Sequence, residues 1–142
     1  MVDKFKTQYY GGDHLEHVHP SLKKEAVLFE DWVPELAKAV EKTLRKHGKV
    51  ISEMQYVQRR IADVTIDLFQ MIACISRASA ALNARGPAAE REAKLCRAVC
   101  GRAAHRIKRN IRMFDDNDDE LLKSIAKDAY EAMEYPHDVI LD

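Results

Sequence analysis

Between Gly48 and Leu82 the apolar positions Met54, Val57, Ile61, Val64, Leu68, Met71, Ile75, Ala78 and Leu82 follow one another at steps of three and four residues. That spacing puts them on one face of an α-helix and predicts a long packed helix near residues 50–84. Ile66, Phe69, Ile72 and Ala73 add a second apolar line, so this helix is expected to be covered on more than one side. A preceding helix near residues 21–47 is predicted from Leu22, Ala26, Phe29, Val33, Leu36, Val40 and Leu44. Pro20 and Ser21 suit its first turn, and His47-Gly48 suits its end. Pro34 lacks an amide donor and predicts a kink or break near Trp32 and Val33.

A third helix near residues 88–113 shows Ala93, Cys96, Cys100, Ala103, Ile107, Ile111 and Phe114 on one face, with Arg and Lys on the other. Its start follows the breaker Asn83-Ala84-Arg85-Gly86-Pro87. Leu121, Leu122, Ile125, Ala129 and Met133 predict a fourth helix near residues 118–134, ended by Tyr135-Pro136. Residues 1–19 carry neither period and are punctuated by Gly11, Gly12 and Pro20, which predicts a flexible lead-in or linker. The expected fold is all-α, an antiparallel up-down four-helix bundle in one domain over residues 20–142.

Composition narrows this picture in two respects. No apolar run approaches the roughly 20 residues that span a bilayer, and the polar start MVDKFKTQYYGGD has no hydrophobic core of a signal peptide. Three cysteines, an odd number set in apolar helical faces, fit packing thiols in a reducing compartment. Charge sums to zero but is unevenly placed. Residues 85–112 carry nine Lys and Arg against two Glu, whereas residues 113–142 carry ten acids against two Lys. Opposed segments of this kind neutralise each other inside a fold or across an interface, or meet an external anion. The candidate anion or partner face is Arg91, Lys94, Arg102, Arg106 and Arg109. Nucleic acid is not indicated, since aromatics do not interleave with the basic residues and there is no overall basic excess.

Three clusters invite chemistry. Asp13-His14-Leu15-Glu16-His17-Val18-His19 groups metal-ligand residue types, but no matching cluster follows, and closing a flexible segment on an ion costs ordering entropy. Arg59, Asp63 and Asp67 stand four apart, a spacing that serves acid–base chemistry or, more commonly, a charge-paired shoulder of a bundle. Asp115-Asp116-Asn117-Asp118-Asp119-Glu120 resembles a calcium loop only superficially, because Glu120 stands where the loop needs Gly and Ala126 where it needs its closing carboxylate. These acids suit the start of the fourth helix. No catalytic residue and no metal site is therefore expected.

The run His47-Gly48 through Gln55, then Val57-Gln58-Arg59-Arg60-Ile61-Ala62-Asp63, resembles the acyl-CoA dehydrogenase pattern Arg-x-x-Phe-Gly, seven residues to a Gln, then Val-Gln-x-x-Leu-Ala-Asp-Met. Leu68-Phe69-Gln70-Met71 through Ile75-Ser76-Arg77-Ala78-Ser79, with Val18-His19-Pro20-Ser21-Leu22, is similar to the extra C-terminal helical domain of very-long-chain-type acyl-CoA dehydrogenases and their complex I assembly relative. His47 replaces the family's flavin-contacting Phe, Leu44 stands at its Arg with Arg45 one step later, and Gln55 matches. The Gly-Gly-x-Gly-Tyr segment is absent, and no catalytic Glu appears in its usual surroundings. The resemblance implies a non-catalytic domain whose parent enzyme uses FAD in fatty-acid beta-oxidation and whose own chain holds no cofactor. It implies as partners the parent's catalytic domain or a homodimer mate, and an anionic membrane surface. The implied location is the cytoplasm or the mitochondrial matrix, with a peripheral position at the inner membrane. Two alternatives stay open: a stand-alone helical adapter or dimerisation module, and residual FAD or CoA binding by Arg45 and Gln55.

Overall fold

The computed structural model describes residues 14–133. Four α-helices run in order: α1 (Lys23–His47), α2 (Gln55–Arg85), α3 (Glu90–Arg112) and α4 (Asp119–Ala132). Short 3-10 turns at Pro20–Leu22, Gly48–Glu53 and Gly86–Ala89 precede the first three. Among the described residues there is no strand, and the chain is an all-α bundle.

Both tight connections turn on a glycine. Gly48 and Gly86 each take φ +54, where a side chain would strain the backbone, and each amide caps its helix by donating to the carbonyl of Leu44 or Leu82. In the first connection Gln58 Nε2 donates to the carbonyls of Ile51 at 2.8 Å and Ser52 at 2.9 Å, fixing the turn against the start of α2. Hydrogen bonds across the bundle establish its direction. The His19 amide donates to Ser79 Oγ at 3.1 Å, bringing the start of α1 to the end of α2, while Arg106 late in α3 reaches Asp67 in α2. The first three helices therefore run up, down, up.

The core lies between α2 and α3, with α1 laid over both. From α2 come Val64, Leu68, Met71, Ile75, Ala78 and Leu82; from α3 come Ala93, Cys96, Cys100, Ala103 and Ile107. Small side chains on α3 let the long ones of α2 approach its backbone. Full burial of Met71, Ile75 and Ile107 contributes about 1.5–3 kcal/mol each. On α1 the buried side follows Leu22, Ala26, Leu28, Phe29, Trp32 and Leu36, whereas Val33 and Leu44, expected inward, are exposed. Trp32 and Thr43, each one residue earlier, take the inward positions at these two places. α1 continues through Pro34 without a break.

Two expectations about coverage meet a different arrangement. Three helices make the tight bundle; α4 is attached by its first residue, and from Glu120 to Met133 every residue is exposed. The second apolar line of α2 is likewise uncovered at Ile66, Phe69 and Ala73 among the described residues, while Ile72 is half-buried.

Candidate functional site

Charged residues are held in place by partners from distant parts of the chain. At the start of α2, Arg60 makes a two-pronged bond to Asp119 at 2.6 and 2.5 Å, with 10% and 9% of the two side chains exposed. The Asp119 carboxylate raises the Arg60 guanidinium above its ordinary range, against the opposing effect of burial. Asn117 Oδ1 accepts the Asp119 amide at 3.1 Å, and this turn orients the carboxylate inward. The pair joins α4 to the bundle.

The rest of the acidic turn is answered by α1 and by the end of α3. Lys42 donates to Asp115 at 2.5 Å, Lys46 lies 3.8 Å from it, and Arg112 binds Asp116 at 2.7 Å. Lys42, then Lys46, hold the Asp115 carboxyl below the usual aspartate range. Among the described residues, Arg112 at the last position of α3 is the one cation of that helix paired with these acids. Arg91, Lys94, Arg102 and Arg109 are exposed on its outer side and have no ion pair among the described residues. Over 18 residues they cover roughly 27 Å. Arg106, assigned to the same face from sequence, points back instead: Asp67 and Gln70 of α2 accept its hydrogen bonds. Asp67 is buried and so stands apart from Asp63, which keeps only an exposed contact with Arg59 at 3.9 Å.

The residues carried over for a cofactor lie at the end of the bundle where α1 meets α2. Arg45 is exposed and paired with Glu41 one turn back, and Gln55 is exposed at the first position of α2. A cavity of about 190 Å³ opens nearby, lined by Lys46, His47, Tyr56, Asp119 and Lys123 among others, but by neither Arg45 nor Gln55. A dinucleotide site requires a larger cleft, roughly 300–1,000 Å³, with donors that converge. These residues do not make such a cradle, and no step through FAD follows from them.

The thiols belong to the core. Cys96 and Cys100 are buried 4.0 Å apart, and Cys74 is half-buried on α2. The Cys96 side chain and burial push the Cys100 thiol far up, and burial raises Cys74. Thiols in that state are poor nucleophiles. Among the described residues no group of three His, Cys, Asp or Glu converges as metal ligands. Of the early histidine run, Asp13 lies outside the described residues. His14 Nδ1 is 3.0 Å from Glu30, while His19 Nδ1 is 2.8 Å from Ser21 Oγ. Glu30 also accepts the Leu15 amide at 2.6 Å, so this stretch is fastened to α1.

Sequence reasoning missed Arg60, Asp67 and Asp119 as buried polar residues. The signal was present only as spacing: Arg60 and Asp67 fall beside Val57, Val64 and Met71 on the core side of α2. Among the described residues no helix is long and apolar enough to cross a membrane.

Over residues 20–135 the chain matches the family described as ACAD9/ACADV, C-terminal domain. It is 38% identical over 100 residues to the rat protein named very long-chain specific acyl-CoA dehydrogenase, mitochondrial, covering 70% of this chain and 15% of that one. The human protein of the same name is 40% identical over 91 residues, covering 64% and 14%, and the bovine one 37% over 115 residues, covering 78% and 18%. The chain thus spans less than a fifth of the length of each of these relatives. With a family match that runs from the first turn of the bundle past the end of α4, this chain belongs to the ACAD9/ACADV C-terminal domain family.

Proposed function

We propose that this chain is a non-catalytic assembly domain of a very-long-chain-type acyl-CoA dehydrogenase, acting in the mitochondrial matrix in fatty-acid beta-oxidation. The observation that carries this reading is the uncovered apolar face of α4, with Leu121, Leu122 and Ile125 left 60%, 49% and 55% exposed. Isolated helices of fewer than about 12–15 residues are marginal in water, so a 14-residue helix with such a face needs a partner surface. Relatives several times longer supply the class of partner: the rest of such an enzyme, or a second subunit. FAD chemistry belongs to that enzyme by resemblance and not to this domain. The free cations of α3 form a second contact surface, suited to an anionic membrane face or an acidic protein patch.

The test is pull-down of a catalytic region of the rat relative, lacking its matched C-terminal segment, with this chain as bait. Retention that is lost in Leu121→Glu/Ile125→Glu supports the assembly role. A chain that neither self-associates nor retains that region at micromolar concentration overturns it. The cationic face is read separately by flotation with vesicles containing phosphatidylserine or cardiolipin. Binding that falls with salt and disappears in Arg91→Glu/Arg102→Glu/Arg109→Glu supports it, and no binding at low salt removes it.

A further inference from the structure

We infer that the open groove between the second half of α1 and the first half of α2 is the seat of this chain's own segment 1–13, with Tyr9-Tyr10 as its apolar anchor. The inference is independent of the assembly reading, which rests on α4. Residues 1–13 themselves lie outside the described residues; the groove and the strap that leads into it lie within them.

One line along α1 changes its exposure halfway. Leu22, Ala26, Val33 and Leu44 follow at steps of four, seven and eleven residues, which keep a helix within about 40° of one direction. Leu22 and Ala26 are buried, whereas Val33 and Leu44 are 42% and 47% exposed. Residues 14–19 run beside the buried half only. Glu30 accepts the Leu15 amide at 2.6 Å and lies 3.0 Å from His14 Nδ1, while the His19 amide donates to Ser79 Oγ at 3.1 Å. From His19 back to His14 an extended chain spans about 16 Å, and from Ser21 to Glu30 a helix rises about 14 Å. The strap is therefore antiparallel to α1, and its upstream end points towards Val33. Leu15 and Val18 share a groove of about 430 Å³ with Ile72, Ile75, Ser76 and Ser79 of α2.

Beyond the strap the groove continues on both helices. Thr65 and Ile61 stand seven and eleven residues before Ile72 on the same side of α2, the first exposed and the second half-buried. From Glu30 to Leu44 the open half of α1 is about 21 Å long, which an extended chain covers in about six or seven residues. Counted back from His14, these are residues 8–13. Gly11 and Gly12 carry no side chain to hold the backbone away from Val33, and Tyr9-Tyr10 comes level with Val40 and Leu44. Adjacent side chains of an extended segment point to opposite faces, so one of the two rings turns into the groove in either register. A buried aromatic removes about 150–250 Å² from water. Attachment at His14 makes this contact intramolecular, at an effective concentration of about a millimolar, which a separate molecule must exceed to take the same seat.

The experiment is NMR on the full chain with methyl-labelled valine and leucine, joined to limited proteolysis. Contacts between ring protons of Tyr9 or Tyr10 and the methyls of Val40 or Leu44 are expected, and Tyr9→Ser/Tyr10→Ser is expected to shift the Leu44 methyl resonances. Chymotryptic cleavage after Tyr9 and Tyr10 requires the segment to leave the groove. It is expected to be about fivefold faster in Val33→Ser/Leu44→Ser, with helix content unchanged by circular dichroism. Leu44 methyls indifferent to the loss of both tyrosines, or cleavage rates indifferent to the groove variant, overturn the inference. Ring–methyl contacts that arise only between differently labelled copies give the groove to a second molecule and overturn it as well.

Discussion

Removing the Asp119 carboxylate tests how α4 is held. Asp119→Ala leaves the Arg60 guanidinium buried at the start of α2 with no carboxylate, and its two bonds at 2.6 and 2.5 Å are lost. Breaking a fully buried ion pair by deleting one partner costs about 3–5 kcal/mol. Both side chains here keep about a tenth of their surface in water, so the lower end applies, about 3 kcal/mol. For a chain of this length each kcal/mol moves the melting midpoint by roughly 3–4 °C, and a fall of about 10 °C is expected by circular dichroism at 222 nm. Arg60→Met/Asp119→Leu removes both charges and fills the site with apolar side chains, and it is expected to recover most of the loss, since well-packed apolar replacements of buried pairs are often neutral or better. The double-mutant cycle isolates the coupling. A single-variant loss below about 1 kcal/mol would mean that the pair behaves as a surface ion pair, and the anchoring role assigned to it would be refuted.

Three further outcomes follow from the same geometry. Gly86→Ala places a side chain at φ +54 and is expected to lose about 1–3 kcal/mol in urea unfolding although no atom lies within 4 Å of the new carbon; an unchanged midpoint would show that the turn relaxes at no cost. Met71→Ala empties a fully buried site between α2 and α3 and is expected to cost about 2–5 kcal/mol, against a negligible effect for Phe69→Ala at its exposed site in the monomer; equal losses would contradict the assignment of faces. His14, then the Leu15 amide, hold the Glu30 carboxyl below the ordinary glutamate value. A carboxylate of this kind contributes stability above its unfolded-state pKa and loses it as pH falls through the lower folded-state value. The Leu15 amide resonance should therefore titrate below the ordinary glutamate range and cease to do so in Glu30→Gln, whereas a midpoint at or above that range would break the link.

Much of the bundle was legible because its cause is periodic. Apart from the half-buried Ile61, the line from Val57 to Leu82 falls on the buried face of α2, and the stops at Gly48 and Gly86 follow from a backbone geometry that glycine alone adopts without strain. Less was legible on α1, where Val33 and Leu44 face water and the adjacent Trp32 and Thr43 take the inward positions, because which of two neighbouring positions is covered depends on how the helix lies on the others. The polar face was legible as charge but not as pairing. Arg106 and Arg109 look alike in sequence, yet Asp67 accepts hydrogen bonds from the first and the second has no ion pair among the described residues. Whether a cation is free depends on what the neighbouring helix presents at that height.

The amino-acid sequence by itself determined that the chain is helical, where three of its helices stop, which residues of α2 and α3 form the core, and that positive and negative charge are segregated. These follow from local propensity and from periods of three and four residues, which need no knowledge of neighbours. Tertiary structure decided what faces what. It joined Arg60 to Asp119 across 59 residues, assigned the acidic turn to Lys42, Lys46 and Arg112 rather than to the outer face of α3, and left α4 and the outer strip of α2 uncovered among the described residues. An amphipathic pattern states that a face needs burial; only the placement of the other helices states whether its own chain provides it.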